Sequence, residues 1–428
     1  MPAKIHLERM MYRSSIAVPG ESAASYALLK LIPSAEGGAA RPLGLNLALV
    51  LDVSGSMYEE DGTGISRLKR VQQAAARAIE ALKPEDNLAI IAFAHNCQVV
   101  LPATPLTERG QIEDVISKID MFDVDPGGTA MDLGIEAGLK EVEKNAGSGR
   151  LSQVVVLTDG ETSGEQACRQ WAQYAAKKKV HLTCMGVGTE WNSSLIKDIA
   201  KLSEGKWYYI DVNQAQETER IFVEEFEHLA ALAFTNVQLH LKPFKDIKIK
   251  RVRQVVPEIK ELPLEEDGSG MLLAQLGTLE RDKPTRYILD LSLPKRPDGK
   301  YVIAELEVTY DLGTGKREST GKVPLEVQYT PVQGYVNAEV ARHVDDVQIF
   351  EQNQLLQKAI AQNNQAEAER MAKEIEKKGE IMGRRAAKKT MLAKQVLQEL
   401  NAGGRVSKKT MLAIDDVARE AAEMPLPG

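Results

Sequence analysis

The sequence predicts an α/β domain with a mainly parallel sheet, an antiparallel β-sandwich and a C-terminal α-helical bundle. Three observations support this fold class. Strand and helix patterns alternate between residues 45 and 231, short β-like runs follow Phe234, and helical periodicity takes over from Val336. Alternating strands and helices are typical of a parallel sheet, whereas consecutive short strands separated by turns are typical of antiparallel sheets.

Buried strands and amphipathic helices alternate in the α/β segment. Strands are predicted at about 45–51, 88–93, 98–101, 153–158, 180–187 and 207–210. Helices are predicted at about 65–82, 108–119, 130–145, 163–178, 192–203 and 214–231. The runs LNLALVL and LSQVVVLT are almost continuously apolar, so we expect both to be central strands that are covered on both faces.

The β-sandwich is predicted to take strands from both sides of the α/β segment. Two strand patterns, KIHLERMMY and SYALLKLI, lie within residues 4–32, and further short strands follow Phe234. Because the termini of a domain often lie close together, one domain can be inserted into another without disturbing its topology. The predicted boundaries are 1–41 for the N-terminal strands, 42–232 for the α/β domain, 233–333 for the remaining sandwich and 334–428 for the helical region.

The C-terminal region is predicted to contain helices at about 336–362, 365–379, 384–401 and 407–423. The hexapeptide KKTMLA occurs in two of them, which favours two similar helices of one bundle over a pair of matched docking faces. Lysines and arginines of residues 370–394 alternate with glutamates. This pattern favours an ordinary charged helix face over a basic docking surface for protein or nucleic acid.

Composition and charge argue against several classes of protein. A net charge of −7 argues against a general nucleic-acid binder. The three cysteines, Cys97, Cys168 and Cys184, suggest no disulfide framework, so we expect a reducing, cytoplasmic compartment. The N-terminal residues lack the apolar core of a signal peptide, and no apolar run has the length expected of a transmembrane helix.

Oxygen-bearing side chains follow two of the predicted buried strands. Asp52 ends the first strand, and Ser54 and Ser56 follow it at alternate positions. Asp159 ends the run LSQVVVLTDGE, and Thr129 lies in the glycine-rich segment DPGGTAMD before a helix. Because ligands bind at the carboxyl ends of strands in open α/β sheets, we expect these side chains to lie together. Carboxylate and hydroxyl oxygens suit a hard cation such as Mg²⁺.

These residues, in this order, resemble the von Willebrand factor type A (vWA) domain family over roughly Pro42 to Ala231. The resemblance implies a Rossmann-like sheet with helices on both faces, and a metal-ion-dependent adhesion site. The metal ligands would be Asp52, Ser54, Ser56, Thr129 and Asp159. It further implies Mg²⁺, with Mn²⁺ or Ca²⁺ as alternatives, and a Glu or Asp of a partner protein that completes the coordination. In the family, the equivalents of Thr129 and Asp159 alternate as direct ligands, which would couple binding to movement of the helix at about 214–231.

The residues around these ligands leave further alternatives open. Four of them flank Thr129 and are candidates to support the ligands without binding the metal: Asp123, Asp125, Gly128 and Asp132. We expect Asp132 in the first turn of a helix, where the helix dipole favours a carboxylate. The acidic segment from Glu59 to Asp61 is interpreted as a solvated loop, with a second cation site as the alternative.

The sequence thus predicts a non-enzymatic, intracellular protein of bacterial type that binds a protein partner through Mg²⁺. No general base is evident beside Ser54 and Ser56, and the segments GTG and GGT lack the lysine and the strand context of a nucleotide-binding loop. The resemblance implies an adaptor or scaffold role, for example with an AAA+ ATPase. The alternatives are a non-catalytic subunit of an enzyme complex similar to magnesium chelatase, and a surface adhesin.

Overall fold

The computed structural model describes residues 4–18, 23–34, 44–60, 64–147, 150–188, 191–211, 216–312, 317–403 and 405–420. The described residues divide into two units. One unit comprises those from 41 to 233, and the other combines those before residue 41 with those from 234 onward. The predicted fold class is confirmed: an α/β unit is inserted, in sequence, into an antiparallel sandwich that continues into C-terminal helices.

The elements follow one another in the predicted order. The N-terminal strands are β1 (Lys4–Met11), β2 (Ile16–Ala17) and β3 (Ala23–Ser34). The α/β unit contains β4 (Gly44–Asp52), α1 (Arg67–Ala78), β5 (Asn87–Phe93), β6 (Cys97–Pro105), α2 (Arg109–Ser117), α3 (Met131–Lys144), β7 (Arg150–Thr158), α4 (Glu165–Lys177), β8 (Val180–Val187), α5 (Ser193–Leu202), β9 (Trp207–Ile210) and α6 (Glu217–Ala231). A 3₁₀-helix, Gly55–Tyr58, lies between β4 and α1.

The remaining strands and helices belong to the second unit. Its strands are β10 (Leu232–Pro243), β11 (Lys248–Val256), β12 (Lys260–Leu262), β13 (Glu265–Glu266), β14 (Leu272–Glu280), β15 (Thr285–Leu293), β16 (Gly299–Leu312), β17 (Arg317–Ser319) and β18 (Val323–Thr330). Its helices are α7 (Ala338–Ala361), α8 (Gln365–Met382), α9 (Ala387–Gly403) and α10 (Lys408–Arg419).

The sheet of the α/β unit has the order β6-β5-β4-β7-β8-β9. Every neighbouring pair is parallel except β5 and β6, which are antiparallel. The chain places β5 and β6 on one side of β4 and then crosses to the other side for β7. The strand order therefore reverses between β4 and β7, and such a reversal opens a crevice at the carboxyl ends of the strands.

Helices cover both faces of this sheet. On one face, the leucines of β4 share a core with side chains of α1, α2 and α6. On the other face, α3 lies very close to the strands because it carries Gly134 and Gly138 where it meets Val50. A Cβ atom would lie 2.8 Å from Val50 Cγ1 at Gly134, and 2.9 Å from Val50 Cγ2 at Gly138. This close approach fixes α3, and with it the loop that contains Thr129, against β4 and β5.

The second unit contains the β-sandwich. One sheet has the order β1-β3-β15-β11-β12, and the other has the order β13-β14-β10-β16-β18-β2, with β17 beside β16. The N-terminal strand β3 lies between β1 and β15 and is antiparallel to both. The Ile5 N–H of β1 donates to Tyr310 Oη of β16 at 3.3 Å, which joins the two sheets.

The C-terminal helices pack on the sandwich through α7. Val340, Val344 and Val347 of α7 form an apolar cluster with Leu28 of β3 and Ile288 of β15. Helices α8, α9 and α10 share a second apolar core with α7. Across the described part of the chain, we find no helix that is both long enough and apolar enough to cross a membrane.

Candidate metal centre

The centre lies where β4 and β7 end, at the reversal of strand order. The two strands pair in parallel, with Leu51 opposite Leu157, so Asp52 and Thr158 reach the same edge of the sheet. The Thr158 hydroxyl donates to Asp52 Oδ2 at 2.7 Å, and the chain then continues directly into Asp159. The register of two buried strands therefore brings the two aspartates to one place.

The two serines connect these aspartates. The Ser54 N–H donates to Asp52 Oδ1 at 2.9 Å, so the chain turns sharply around the carboxylate. The hydroxyls of Ser54 and Ser56 lie 3.2 Å apart, and Ser56 Oγ donates to Asp159 Oδ1 at 2.7 Å. A continuous chain of hydrogen bonds thus includes four of the five predicted ligands.

The fifth predicted ligand, Thr129, lies beside the loop that follows β7. A Cβ atom on Gly160 would lie 3.4 Å from Thr129 Oγ1, so the hydroxyl sits next to the residue after Asp159. Thr162 ties the two loops together, because its hydroxyl donates to the Thr129 carbonyl at 2.8 Å and accepts from the Met131 N–H at 3.3 Å.

The residues that flank Thr129 contact the neighbouring loops. Asp125 Oδ1 accepts from the Gly127 N–H at 3.0 Å, and the Asp125 carbonyl accepts from the His95 N–H at 3.0 Å. A Cβ atom on Gly128 would lie 3.2 Å from His95 Nδ1. The Asp132 carboxylate lies in the first turn of α3 against Gly164. These contacts shape the loop that carries the Thr129 hydroxyl.

The two aspartates are fully buried but differ in their electrostatic surroundings. Burial is the main reason that the pKa of Asp52 rises to about 6, and the charge of Asp159 adds to this rise. Hydrogen bonds from Ser54 and Thr158 oppose it. Among the described residues, no basic side chain forms an ion pair with Asp52. A cation beside Asp52 would favour its ionised form.

Asp159, in contrast, has a basic partner. Arg67 lies in the first turn of α1, just after the helix N-cap Ser66. Its Nη1 atom lies 2.6 Å from Asp159 Oδ2, and its Nη2 atom lies 3.1 Å from Glu59 Oε2. Sequence reasoning does not identify Arg67, Thr158 or Thr162, because nothing local in their segments indicates these contacts.

The chemistry of these side chains fits a hard divalent cation. Two carboxylates and two hydroxyls are joined by hydrogen bonds, and the Thr129 hydroxyl lies beside Gly160; such oxygen donors suit Mg²⁺, Mn²⁺ and Ca²⁺. Nowhere in the described ranges do three or more His, Cys, Asp or Glu side chains form a metal-binding group. A centre at Asp52 and Asp159 would therefore depend on hydroxyl oxygens as well as on carboxylates.

These features define an α/β domain with a cluster of oxygen-bearing side chains at the point where its strand order reverses. Residues 46–223 match the family model of the von Willebrand factor type A domain. These residues therefore form a vWA domain, and the predicted resemblance is confirmed for the domain itself. Domains of this family generally take part in protein–protein interactions, and many of them bind divalent metals.

Two relatives extend beyond this domain. An uncharacterized protein of Synechocystis sp., sll0103, is 29% identical over 323 residues, which is 74% of each chain. The uncharacterized protein YfbK of Escherichia coli is 24% identical over 302 residues, which is 65% of this chain and 50% of YfbK.

Two solved structures align with nearly the whole length of this chain. A von Willebrand factor type A protein from Catenulispora acidiphila has a TM-score of 0.74 at 17% identity and covers 98% of this chain and 97% of its own. The ArnB paralog VWA2 from Sulfolobus acidocaldarius has a TM-score of 0.57 at 14% identity and covers 98% of both chains. At these identities the likeness shows a shared fold alone.

Proposed function

We propose that this chain is a non-enzymatic adaptor that binds an acidic side chain of a protein partner through a divalent cation in its vWA domain. Mg²⁺ is the proposed cation, with Mn²⁺ or Ca²⁺ as substitutes. The residues that would hold it are Asp52, Ser54, Ser56, Thr129 and Asp159. An AAA+ ATPase is the class of partner that the family resemblance predicts.

One observation carries this proposal: a fully buried carboxylate, Asp52, has hydroxyl and amide neighbours but no basic partner among the described residues. Burial of an ionised group without a counter-charge is unfavourable, and a bound cation would remove that penalty. When bound, the cation would supply positive charge that a carboxylate of a partner can ligate. The side chains of this protein would hold the cation and orient the two loops around it.

Calorimetric titration of metal-stripped protein with Mg²⁺ and Mn²⁺ tests the metal site. We expect saturable binding by the wild type and none by the Asp52→Ala, Ser54→Ala double variant. The matched control is the Asp114→Ala, Ser117→Ala double variant, which removes the same two residue types from the exposed surface of α2. Equal heats for the wild type and the Asp52→Ala, Ser54→Ala variant would contradict the proposal.

A second experiment tests the partner. A protein retained by the immobilised wild type should be released by EDTA, be retained again with Mg²⁺, and fail to bind the Asp52→Ala variant. Replacement of one Glu or Asp of that partner by its amide should abolish binding. Retention that EDTA does not change would place the interface away from the metal centre.

A further inference from the structure

Arg67 places a positive charge directly on one of the candidate ligands. Its Nη1 atom lies 2.6 Å from Asp159 Oδ2, and the Asp159 side chain is fully buried. We propose that Arg67 is an internal counter-cation that competes with the divalent cation for Asp159 and so lowers the metal affinity of the centre. This inference rests on the proposed function and concerns how that same site is regulated.

The contacts of the two aspartates show why the competition falls on Asp159. The oxygens of Asp52 accept hydrogen bonds from neutral donors, the Ser54 N–H and the Thr158 hydroxyl. Asp159 accepts from the Ser56 hydroxyl through Oδ1 and from the Arg67 guanidinium through Oδ2. A dication that approaches Asp159 therefore meets a positive charge at its ligand, and like charges at this distance repel.

A second acceptor lets Arg67 leave Asp159 without losing all its partners. Its Nη2 atom lies 3.1 Å from Glu59 Oε2, and Nη1 also lies 3.4 Å from the Ser56 carbonyl oxygen. The Glu59 side chain is 64% exposed, whereas that of Arg67 is 17% exposed. Because a guanidinium carries five donors in a planar fork, Arg67 can keep Glu59 and Ser56 while a cation takes Asp159.

The same charge has an opposite effect on an acidic ligand. Asp52, Asp159 and Arg67 together sum to one negative charge when all are ionised, and a bound dication converts this into one positive charge. Without Arg67 the loaded centre would be neutral. Arg67 is therefore expected to weaken metal binding and to strengthen the attraction of the loaded centre for a carboxylate.

Calorimetric titration with Mn²⁺ of the metal-stripped wild type, Arg67→Gln, Arg67→Lys and Arg77→Gln measures the competition. We expect Arg67→Gln to bind Mn²⁺ about tenfold more tightly than the wild type, because a charge in contact with a ligand acts on this scale. Arg67→Lys keeps the charge and should stay within about threefold of the wild type. Arg77 lies on the same helix, exposed, 3.6 Å from Glu219, so Arg77→Gln should match the wild type.

Arginine side-chain NMR on the wild type gives a measurement that needs no variant. Saturation with Mg²⁺ should shift the Arg67 guanidinium signals and speed their exchange with water, while the Arg77 signals stay unchanged.

Two results would overturn the competition and leave the metal site itself in place. One is an Arg67 signal that does not change at saturating Mg²⁺, and the other is Mn²⁺ binding by Arg67→Gln that is equal to or weaker than that of the wild type. Binding by Arg67→Gln but not by the wild type would support the competition and contradict the proposed function. No binding by either protein would overturn both.

Discussion

Two buried guanidinium–carboxylate clusters, one in each unit, use the same chemistry in different ways. In the second unit, Arg253 of β11 lies 2.9 Å from Asp290 of β15 and 2.6 Å from Glu351 of α7, and its side chain is only 1% exposed. In the α/β unit, Arg67 lies 2.6 Å from Asp159 at the end of β7. The first cluster joins a helix to a sheet, whereas the second lies at the carboxyl ends of β4 and β7, where the strand order reverses.

The difference lies in the neighbours of each carboxylate. Asp290 also lies 3.0 Å from Arg251, so two arginines hold it in place. Asp159 has one arginine, and the buried Asp52 beside it has no basic partner among the described residues. In the first cluster the buried Asp290 already has guanidinium partners, whereas in the second the buried Asp52 has none among the described residues and can accept a cation.

The largest expected effect is on the Arg253 cluster. Arg253→Gln removes the buried guanidinium between Asp290 and Glu351 and leaves both carboxylates to the more exposed Arg251, so it should lower the free energy of unfolding by about 3–5 kcal/mol. Urea denaturation should show this loss equally in EDTA and in Mg²⁺. The matched control is Arg251→Gln, because Arg251 is 44% exposed and contacts the same two carboxylates, and its loss should stay below about 1 kcal/mol. If Mg²⁺ restored the free energy of unfolding that Arg253→Gln loses, the two clusters would not differ as proposed.

The Arg67 cluster should behave differently in the same experiment. Arg67→Gln should lower the free energy of unfolding by about 2 kcal/mol in EDTA, because the buried Asp159 loses its counter-charge. Saturating Mg²⁺ should recover most of this loss, since a cation that binds only the folded state stabilises it by an amount that grows with the logarithm of its affinity. The increase in melting temperature on adding Mg²⁺ should therefore be greater for Arg67→Gln than for the wild type. Equal increases in both proteins would contradict this.

Much of this contrast depends on contacts that the sequence does not reveal. The motif Asp52, Ser54, Ser56 can be recognised because its members are neighbours at the end of an apolar run. The hydrogen bond between Arg67 and Asp159 joins positions 92 residues apart. It depends on where α1 begins relative to the end of β7, which is a tertiary property.

The fold shows the same division between local and distant information. Apolar periodicity predicts β4, β7 and the ten α-helices of the described residues to within a few residues, because each buries a continuous face or stripe. It does not predict strands as short as β2 and β13, which have two residues each and form only through their partners. The contact of Arg253 with Glu351 likewise requires α7 to lie on the sheet, and neither segment indicates it alone.

Glu225 of α6 is a further buried carboxylate that can be compared with these. It accepts hydrogen bonds from Thr183 at 3.0 Å, Tyr208 at 2.7 Å and Lys206 at 3.0 Å, which fasten α6 to β8 and β9. Burial acts to raise its pKa, but Lys206, His228 and the Tyr208 hydroxyl hold the pKa of Glu225 below its usual 4.5. Its ionised form therefore stabilises the fold above that pH.

Glu225→Gln should accordingly lower the free energy of unfolding by about 1–2 kcal/mol at neutral pH. Because the folded-state pKa is below 4.5, the contribution of Glu225 is complete above that pH and is lost as the pH falls through the folded-state value. Urea denaturation of both proteins between pH 7 and pH 3.5 should show the difference shrinking toward the acid end. A difference that grows as the pH falls would contradict the lowered pKa.

The smallest expected effect concerns Thr129. Thr129→Ala should leave the affinity for Mn²⁺ within about threefold of the wild type, because the carboxylates supply most of the charge at the centre. Affinity for an acidic partner should fall about tenfold if Thr129 ligates mainly when a partner is engaged. For both the wild type and Thr129→Ala, calorimetry should measure the affinity for Mn²⁺, and a separate binding assay should measure the affinity for the partner. Equal losses in both measurements would contradict a role confined to one state. Thr162→Ser keeps the hydroxyl that ties the loop and serves as the control.

The most direct test of the difference between the two clusters is to locate a metal ion in the crystal. Crystals of the wild type soaked in Mn²⁺ should show an anomalous scattering peak at coordination distance, about 2.0–2.6 Å, from oxygens of Asp52, Ser54 or Ser56. The same map should show no peak beside Asp290 and Glu351, and Asp52→Asn crystals should show none at the crevice. A peak beside Glu59 and Glu60 alone, or an empty crevice at saturating Mn²⁺, would contradict the proposed metal centre.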